Sequence, residues 1–209
     1  DIKRYGYNFA DLWIIATFPS RNYAIDNYPA VKNHLLSFGM ERLEQTGKTY
    51  IINDKKVKAR KKTNNKWFET QDSIGYWEDF NKQKIVWKRV GSILRFGLDN
   101  NGYMCLDSTC FAIGKDLDYL VCFFNSNIGN YLLQKSPQTG TGDLLISVQA
   151  LEPILVYREY DSRLFKNIIK TNYNISKEIE TKVNTELYKY YGLNDIEINY
   201  VEQKIIRIY

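Results

Sequence analysis

The chain has 209 residues, 44% hydrophobic and 15% aromatic, with 29 Lys and Arg against 24 Asp and Glu. This length and composition can bury a core as one large domain or two small ones. The longest apolar runs, residues 12–18 and 119–124, are too short to cross a bilayer, and no signal peptide opens the sequence. The first residue is Asp1 rather than Met, so we expect a piece of a longer protein.

The first quarter of the chain predicts a strand and then a helix. Residues 12–17 are apolar, partly β-branched and bounded by Pro19, which predicts a buried strand. Pro29 suits the first turn of a helix, in which apolar residues recur at roughly helical spacing as far as Leu43. Gly47 is expected to end this helix.

Residues 55–66 carry the local positive charge of the chain. They have almost no apolar content, which predicts a loop or a frayed edge. If these seven basic residues are left out, the chain has 22 basic and 24 acidic residues, a formal net charge of −2. A basic run followed by aromatic residues is typical of a surface that binds a phosphate backbone. The seven basic residues are Lys55, Lys56, Lys58, Arg60, Lys61, Lys62 and Lys66.

The middle of the chain predicts three strands and an interrupted helix. Residues 84–90, 93–98 and 103–113 have strand character, and the Asp-Asn-Asn-Gly sequence at 99–102 is a hairpin turn signal between the last two. Residues 117–133 predict a buried helix interrupted near residues 125–129. The three cysteines of the chain form no CxxC pair, and their odd number argues against a disulfide framework. Their apolar neighbours favour reduced core thiols in a cytoplasmic protein.

The last third of the chain begins with a glycine- and threonine-rich loop at residues 136–143. Strand character returns at residues 144–156, where Pro153 marks an edge or a break. From Asp161 the pattern is helical, Gly192 ends one helix, and Asn194 and Glu197 are spaced like an N-cap and its reciprocal partner. The apolar stripe comprises Ile168, Ile169, Ile175, Ile179, Val183, Leu187 and Tyr190. We therefore expect an α+β fold, with mixed, mostly antiparallel sheets at residues 1–157 and a C-terminal helical segment at residues 158–209 packing on them.

The sequence lacks the usual catalytic motifs. Amino-methyltransferases need adjacent prolines after Asp, Asn or Ser, and none of the four prolines are adjacent. No GxGxxG loop follows a strand. Glu202-Gln203-Lys204 has a nuclease-like spacing without the preceding Pro-Asp, and a solvated pair is the favoured interpretation. His34 is the only histidine, so neither a zinc site nor a nucleophilic relay is predicted, and we expect no catalysis, cofactor or metal within this chain.

Candidate DNA contacts fall into two groups. Lys58, Arg60, Lys61, Lys62 and Lys66 are interpreted either as phosphate contacts or as a solvated loop. The second group has hydrogen-bonding side chains that suit base edges or grooves, with turn caps, ion pairs or plain loops as the alternatives. It comprises Gln71, Ser73, Lys88, Arg89, Gln138 and Thr139. Trp67, Trp77 and Trp87 are assigned mainly to the core.

An ordered series of short motifs extends over nearly the whole chain. The motifs are Tyr28-Pro29 with His34-Leu35, Lys66-Trp67-Phe68-Glu69, Lys84-Ile85-Val86-Trp87-Lys88-Arg89, Asp107-Ser108-Thr109, Asn125-Ser126, and Leu187-Tyr188 with Gly192-Leu193. In this order they resemble the C-terminal specificity domain of Taq-type adenine-N6 DNA methyltransferases, as in single-chain type IIG restriction-modification enzymes and related phage-defence methyltransferases. The chain departs from the family at Lys88, where Pro is usual, and at Tyr190-Tyr191, where the family has Tyr-Gly.

The resemblance implies a target recognition domain that binds double-stranded DNA and packs with the catalytic methyltransferase domain of the same parent chain. S-adenosylmethionine and the flipped adenine would be held by that domain, and Mg²⁺ by a nuclease domain where the parent also cleaves DNA. Three other interpretations remain open: a type I specificity subunit fragment, a protein-interaction scaffold, and a cryptic nuclease using Glu202.

Overall fold

The computed structural model describes residues 2–170 and 176–205. Within them the chain has an α+β fold of antiparallel strand pairs and helices, with a helical C-terminal segment, which confirms the predicted class. The chain divides into two compact units. Unit 1 comprises Asp1–Asp11 and Glu78–Tyr209, and unit 2 comprises Leu12–Trp77. In the described residues, no helix combines the length and the hydropathy needed to span a membrane.

Unit 2 contains two short helices and one two-stranded sheet. Its elements are α1 (Pro29–Leu36), α2 (Met40–Leu43), β1 (Thr49–Ile52) and β2 (Lys55–Lys58). Pro29 starts α1 as predicted, but the single helix expected up to Gly47 is wrong. The chain breaks at Gly39, whose φ of +90° is a conformation that side chains with a Cβ rarely adopt.

The strand predicted at residues 12–17 is also wrong. These residues form no regular element, and Leu12 and Trp13 are 75% and 86% exposed. An apolar, β-branched run becomes a strand only where a partner edge accepts its backbone hydrogen bonds. At the end of this segment, Thr70 N–H donates a backbone hydrogen bond to the Thr17 carbonyl at 3.0 Å.

Strand β1 pairs antiparallel with β2, so the first third of the basic run is a strand rather than a loop. The register places Ile52 opposite Lys55, leaving Asn53 and Asp54 as a two-residue turn. Both turn residues have positive φ, +48° and +60°, as a type I′ turn requires. Asn and Asp accept this conformation more readily than other non-glycine residues.

Unit 1 is built on a three-stranded sheet in the order β5-β3-β6. The strands of this sheet are β3 (Lys84–Lys88), β5 (Phe96–Asp99) and β6 (Thr109–Ile113), while β4 (Val90–Gly91) and β7 (Leu144–Leu145) form a separate two-stranded sheet. Because β3 lies between β5 and β6, the hairpin predicted at residues 99–102 is wrong. Asp99 instead faces Lys84 on β3, and its carboxylate accepts the backbone N–H groups of Asn101 and Tyr103 at 2.8 and 2.9 Å.

The N-terminal segment extends the sheet of unit 1 beyond β5. Tyr5 N–H donates to the Phe96 carbonyl at 2.8 Å, and Leu98 N–H donates to the Tyr5 carbonyl at 3.0 Å. Gly97 permits this approach, because a Cβ added there would collide with the carbonyl oxygen of Gly6. The first residues of unit 1 are thus tied to its central sheet.

The helices of unit 1 are α3 (Leu117–Asn125), α4 (Asn127–Leu133), α5 (Val148–Leu151), α6 (Ser162–Ile169), α7 (Lys177–Tyr190) and α8 (Asp195–Lys204). The predicted interruption near residues 125–129 is confirmed, since Ser126 separates α3 from α4 and caps α4. Gly192 ends α7 with a φ of +64°, and Asn194 and Glu197 form the predicted capping box of α8. The strand predicted at residues 144–156 is wrong beyond Leu145, where α5 follows. The predicted stripe residue Ile175 lies outside the described residues.

The core of unit 1 is apolar and rich in aromatic side chains. Trp87 stacks on Phe96 with ring centroids 5.7 Å apart, and Trp87 Nε1–H donates to the Ile146 carbonyl at 2.8 Å. Helix α3 packs against α6 and against α7, and Phe123, Phe165 and Leu187 are buried on these helices. Trp87 is a core residue as predicted, whereas Trp67 and Trp77 of unit 2 are half-buried.

Candidate nucleic-acid interface

The net positive charge of the chain lies entirely in unit 2. Unit 2 holds 11 Lys and Arg against 6 Asp and Glu, whereas the remainder holds 18 of each sign. The formal charge of +5 is therefore that of unit 2 alone. A field concentrated on about a third of the residues attracts polyanions to that part of the molecule.

The β1–β2 hairpin presents two different faces. Tyr50 and Val57 are opposite each other in the register and half-buried, and the Tyr50 hydroxyl donates to the Glu44 carboxylate. The other face carries two cross-strand pairs, Thr49 with Lys58 and Ile51 with Lys56, and all four side chains are exposed. We call this exposed set the outer face of the hairpin.

Arg60 is held by backbone carbonyl groups of unit 2. Its Nε and Nη2 donate to the Leu43 carbonyl at 2.9 and 2.6 Å, Nη1 donates to the Glu69 carbonyl at 2.9 Å, and Nη2 also donates to the Trp67 carbonyl. Partial burial lowers the pKa of Arg60. The guanidinium therefore ties the end of α2 to the loop after β2, and the phosphate contact proposed for this residue stays a prediction.

Gln45 and Glu69 complete the buried polar centre of unit 2. The Gln45 amide donates to the carbonyl groups of Lys66 and Glu69 at 3.0 and 2.8 Å and accepts from the Thr63 hydroxyl at 2.5 Å. The Glu69 carboxylate accepts Lys66 N–H at 2.8 Å. Buried side chains bonded in this way fix a loop in one conformation, so residues 60–69 form an ordered loop rather than a frayed edge.

Three lysines of this ordered loop are exposed: Lys61, Lys62 and Lys66. Lys61 Nζ is 3.9 Å from the Asp72 carboxylate, and Lys66 Nζ is 3.8 Å from that of Glu69. Both side chains of the Lys61–Asp72 pair are exposed, and so long and exposed an ion pair contributes little to stability and yields readily to a competing anion. In the Lys66–Glu69 pair only the lysine is exposed. The loop thus presents ammonium groups on a fixed backbone.

The predicted base-reading residues of unit 2 follow the same loop. Ser73 is exposed, and Gln71 is half-buried. Asn65 Nδ2 donates to the carbonyl groups of Thr70 and Gln71 at 3.0 and 3.1 Å, which positions the start of the segment. Asp72, which lies between them in sequence, is 3.9 Å from Lys61 Nζ, so this segment runs beside the lysine loop.

The other four predicted contacts lie together around a small sheet of unit 1. Strand β4 pairs with β7, and Gln138 forms a bridge with Leu144 of β7. Arg89 has an exposed side chain, and its carbonyl accepts Ile146 N–H at 2.8 Å. The Lys88 side chain lies beside Gly91: a Cβ added at Gly91 would be 3.6 Å from Lys88 Cδ. The structure thus brings Lys88 and Arg89 to the same ribbon as Gln138.

Thr139 belongs to the tight loop that connects Gln138 to β7. Thr139 N–H donates to the Asp143 carbonyl at 2.8 Å, and its hydroxyl lies 2.9 Å from that of Thr141. Gly142 turns the chain with a φ of +86°. The predicted loop is therefore a hairpin arm, with Gln138 exposed on it and Thr139 half-buried.

Sequence reasoning missed two buried polar centres in unit 1. Lys84 is fully buried and donates to the Asp99 carboxylate and to the Phe80 carbonyl, the latter at 2.6 Å. The Asn125 amide accepts Phe96 N–H at 3.1 Å and donates to the Phe96 carbonyl at 2.7 Å. The apolar run that follows Lys84 was the one signal that this lysine lies in a central strand.

The hairpin β1–β2 was also missed, although its signal was present. Asn53 and Asp54, two residue types that accept positive φ, stand between residues 49–52, which are rich in β-branched and aromatic side chains, and residues 55–58. The hairpin adds Ile51 to the candidate surface. Lys48, just before β1, is exposed as well.

The described residues contain no group of three or more His, Cys, Asp or Glu arranged to hold a metal ion. The cysteines carry free thiols, of which Cys122 is buried and Cys105 and Cys110 are half-buried, and burial raises the pKa of each. Glu202, the nuclease candidate, accepts the Tyr188 hydroxyl at 3.1 Å. The nuclease interpretation of Glu202 stays a prediction.

Comparison of the sequence with protein-family models gives no match, and a search of the curated proteins gives none either.

Proposed function

We propose that this chain is the DNA target recognition domain of a type IIG-like restriction-modification enzyme or related adenine-N6 DNA methyltransferase. It binds duplex DNA in the cytoplasm and selects the sequence that catalytic domains elsewhere in the parent chain methylate or cleave. S-adenosylmethionine, and Mg²⁺ where the parent also cleaves, belong to those domains, and this chain contributes no catalytic residue. The ordered motifs that resemble the Taq-type specificity domain give the proposal its biological setting.

The observation that carries the proposal is the ordered lysine surface of unit 2. Lys56, Lys58, Lys61 and Lys62 are exposed on a hairpin and loop whose backbone is fixed by Arg60, Gln45 and Glu69. Lysines that are already positioned lose less freedom when they meet phosphates, and the condensed counterions they release favour binding. Phosphate contacts give affinity, and base contacts give specificity.

Base readout is assigned to polar side chains in each of the two units. Ser73 and Gln71 follow the lysine loop in unit 2, and Arg89 and Gln138 share the ribbon of unit 1. An arginine guanidinium can bind guanine O6 and N7 together, and a glutamine amide can bind adenine N6 and N7. Selection from a random duplex pool, followed by sequencing of the bound fraction, tests this step. We expect an enriched motif that Arg89→Ala relaxes at one position.

A fluorescence anisotropy titration with duplex DNA tests the proposal itself. The test variant is Lys61→Glu with Lys62→Glu, and the matched control is Lys177→Glu with Lys182→Glu, two exposed lysines of α7 with the same charge change. We expect the test variant to bind at least about tenfold more weakly, because like charges then face the phosphates. Equal affinities for the two variants would contradict the proposal.

One observation favours the rival, a protein-interaction scaffold. Unit 1 has an apolar cavity of about 620 Å³ between α4, α5 and the segment around Tyr191. Apolar residues line most of it, including Ile128, Leu132, Ile154 and Leu155. If the wild-type chain binds no duplex but binds a partner protein, and Leu132→Asp abolishes that binding, the scaffold interpretation replaces the DNA-binding one.

A further inference from the structure

The outer face of the β1–β2 hairpin combines charge with one isolated apolar side chain. Ile51 is 75% exposed, and its cross-strand partner Lys56 and diagonal neighbour Lys58 are exposed as well. An isoleucine in this position adds nothing to the core of unit 2, since the half-buried Tyr50 and Val57 point to the other face. The Ile51 side chain is therefore accessible to a molecule that contacts the hairpin.

The ribbon is fixed at its base. Beyond the ends of the strands, Ala59 N–H donates to the Lys48 carbonyl at 2.9 Å, and Gly47 N–H donates to the Arg60 carbonyl at 2.8 Å. Ala59 is buried, and Arg60 is held by the carbonyl groups of α2 and the following loop. Each four-residue strand reaches about 13 Å from this base. The outer face is therefore presented on a stiff arm.

The positive charges of the hairpin and the loop that follows it are complementary to the phosphates along a DNA groove. Residues 48–66 hold eight Lys and Arg and one acidic residue, Asp54 at the turn. Proteins that enter the minor groove place cations against its phosphate walls and insert an apolar wedge such as Ile between base pairs. The wedge partly unstacks one step and bends the duplex, which brings more phosphates to the protein.

We infer that Ile51 is a DNA wedge: the hairpin lies along the minor groove, Lys56 and Lys58 contact its phosphate walls, and the Ile51 side chain enters one base-pair step and bends the duplex. The inference rests on the proposed DNA binding and goes beyond it. In this inference the hairpin selects DNA by how easily the duplex bends, and not through hydrogen bonds to bases. Flexible pyrimidine–purine steps would be favoured there.

Energy transfer between dyes at the two ends of a duplex measures the bend. The test variant is Ile51→Thr, which keeps β-branching and strand propensity while adding a hydroxyl. The control is Ile196→Thr on α8, where the isoleucine is 81% exposed. Anisotropy on the same duplex gives the affinity, and Ile51→Leu restores an apolar wedge.

We expect bending by the wild type, Ile196→Thr and Ile51→Leu, and loss of most of the bend with Ile51→Thr, whose affinity falls by about three- to tenfold. Binding without bending by the wild type, or equal bending by Ile51→Thr, would overturn the wedge and leave DNA binding intact. If the wild type fails to bind duplex DNA at all, the proposed function fails together with the wedge.

Discussion

The two units of this protein are stabilised by different kinds of interaction. Unit 1 closes around aromatic and aliphatic side chains such as Trp87, Phe96 and Phe123, and its charges balance. Unit 2 closes around hydrogen bonds from Arg60, Gln45 and Glu69 and carries the whole excess of positive charge. The difference teaches that hydrogen bonds to backbone carbonyl groups can fix a loop that buries few apolar side chains, such as Phe68. Such a loop can expose lysines and still hold them in place.

The buried ion pair of unit 1 is the sharpest test of its packing. Asp99→Ala leaves the Lys84 ammonium buried without its anionic partner, and breaking a buried pair on one side costs about 3–5 kcal/mol. Urea unfolding of both proteins measures this loss. Lys84→Met combined with Asp99→Leu removes the unpaired ammonium and should recover part of it. The remainder is the acceptor that the Asn101 and Tyr103 N–H groups lose. A single variant as stable as the wild type would show that the pair contributes nothing to unit 1.

The polar centre of unit 2 is tested by Arg60→Ala. The variant leaves the carbonyl groups of Leu43, Trp67 and Glu69 without this donor, and we expect a loss of about 2–3 kcal/mol. Native-state hydrogen exchange should show the loss in residues 43–69 and much less in β3 and β5. Lys62→Ala, a neighbouring exposed lysine, is the control and should change stability by less than about 0.5 kcal/mol.

Alkaline pH tests the buried phenol of Tyr188 in α7 of unit 1. Burial raises the pKa of Tyr188 from 10.0 to about 12, so the folded state favours the neutral phenol. The stability from this group is fully present below pH 10 and is lost as pH rises through 12. Between these pH values the wild type should lose more unfolding free energy than Tyr188→Phe, which cannot ionise. Parallel losses in the two proteins would contradict the assignment.

Local signals in the sequence predicted the ends of several helices. Gly192 and the Asn194–Glu197 capping box depend on neighbours within four residues, and so does the break at Ser126. Such elements can be predicted because the groups that satisfy the backbone are close in the chain. The α+β class followed from the same patterns.

Features that depend on distant partners could not be predicted in this way. Residues 12–17 have strand composition, yet a strand needs an edge that one sequence does not locate. The Asp-Asn-Asn-Gly sequence predicts a hairpin between its neighbouring strands, but Asp99 on β5 is paired with Lys84 on β3 instead. Arg60 belongs to a basic run, and only the fold shows that carbonyl groups surround its guanidinium while Lys61 and Lys62 stay exposed.

The salt dependence of duplex binding tests the central claim most directly. Replacing Lys56, Lys58, Lys61 and Lys62 by Gln removes four exposed charges of unit 2, while the control removes Lys166, Lys170, Lys177 and Lys182 of unit 1 in the same way. If the four lysines of unit 2 contact phosphates, the slope of log K against log salt becomes shallower by about 3–4 in the test variant, at about 0.9 per contact, and stays unchanged in the control. Equal slopes in wild type, test and control proteins would contradict the account.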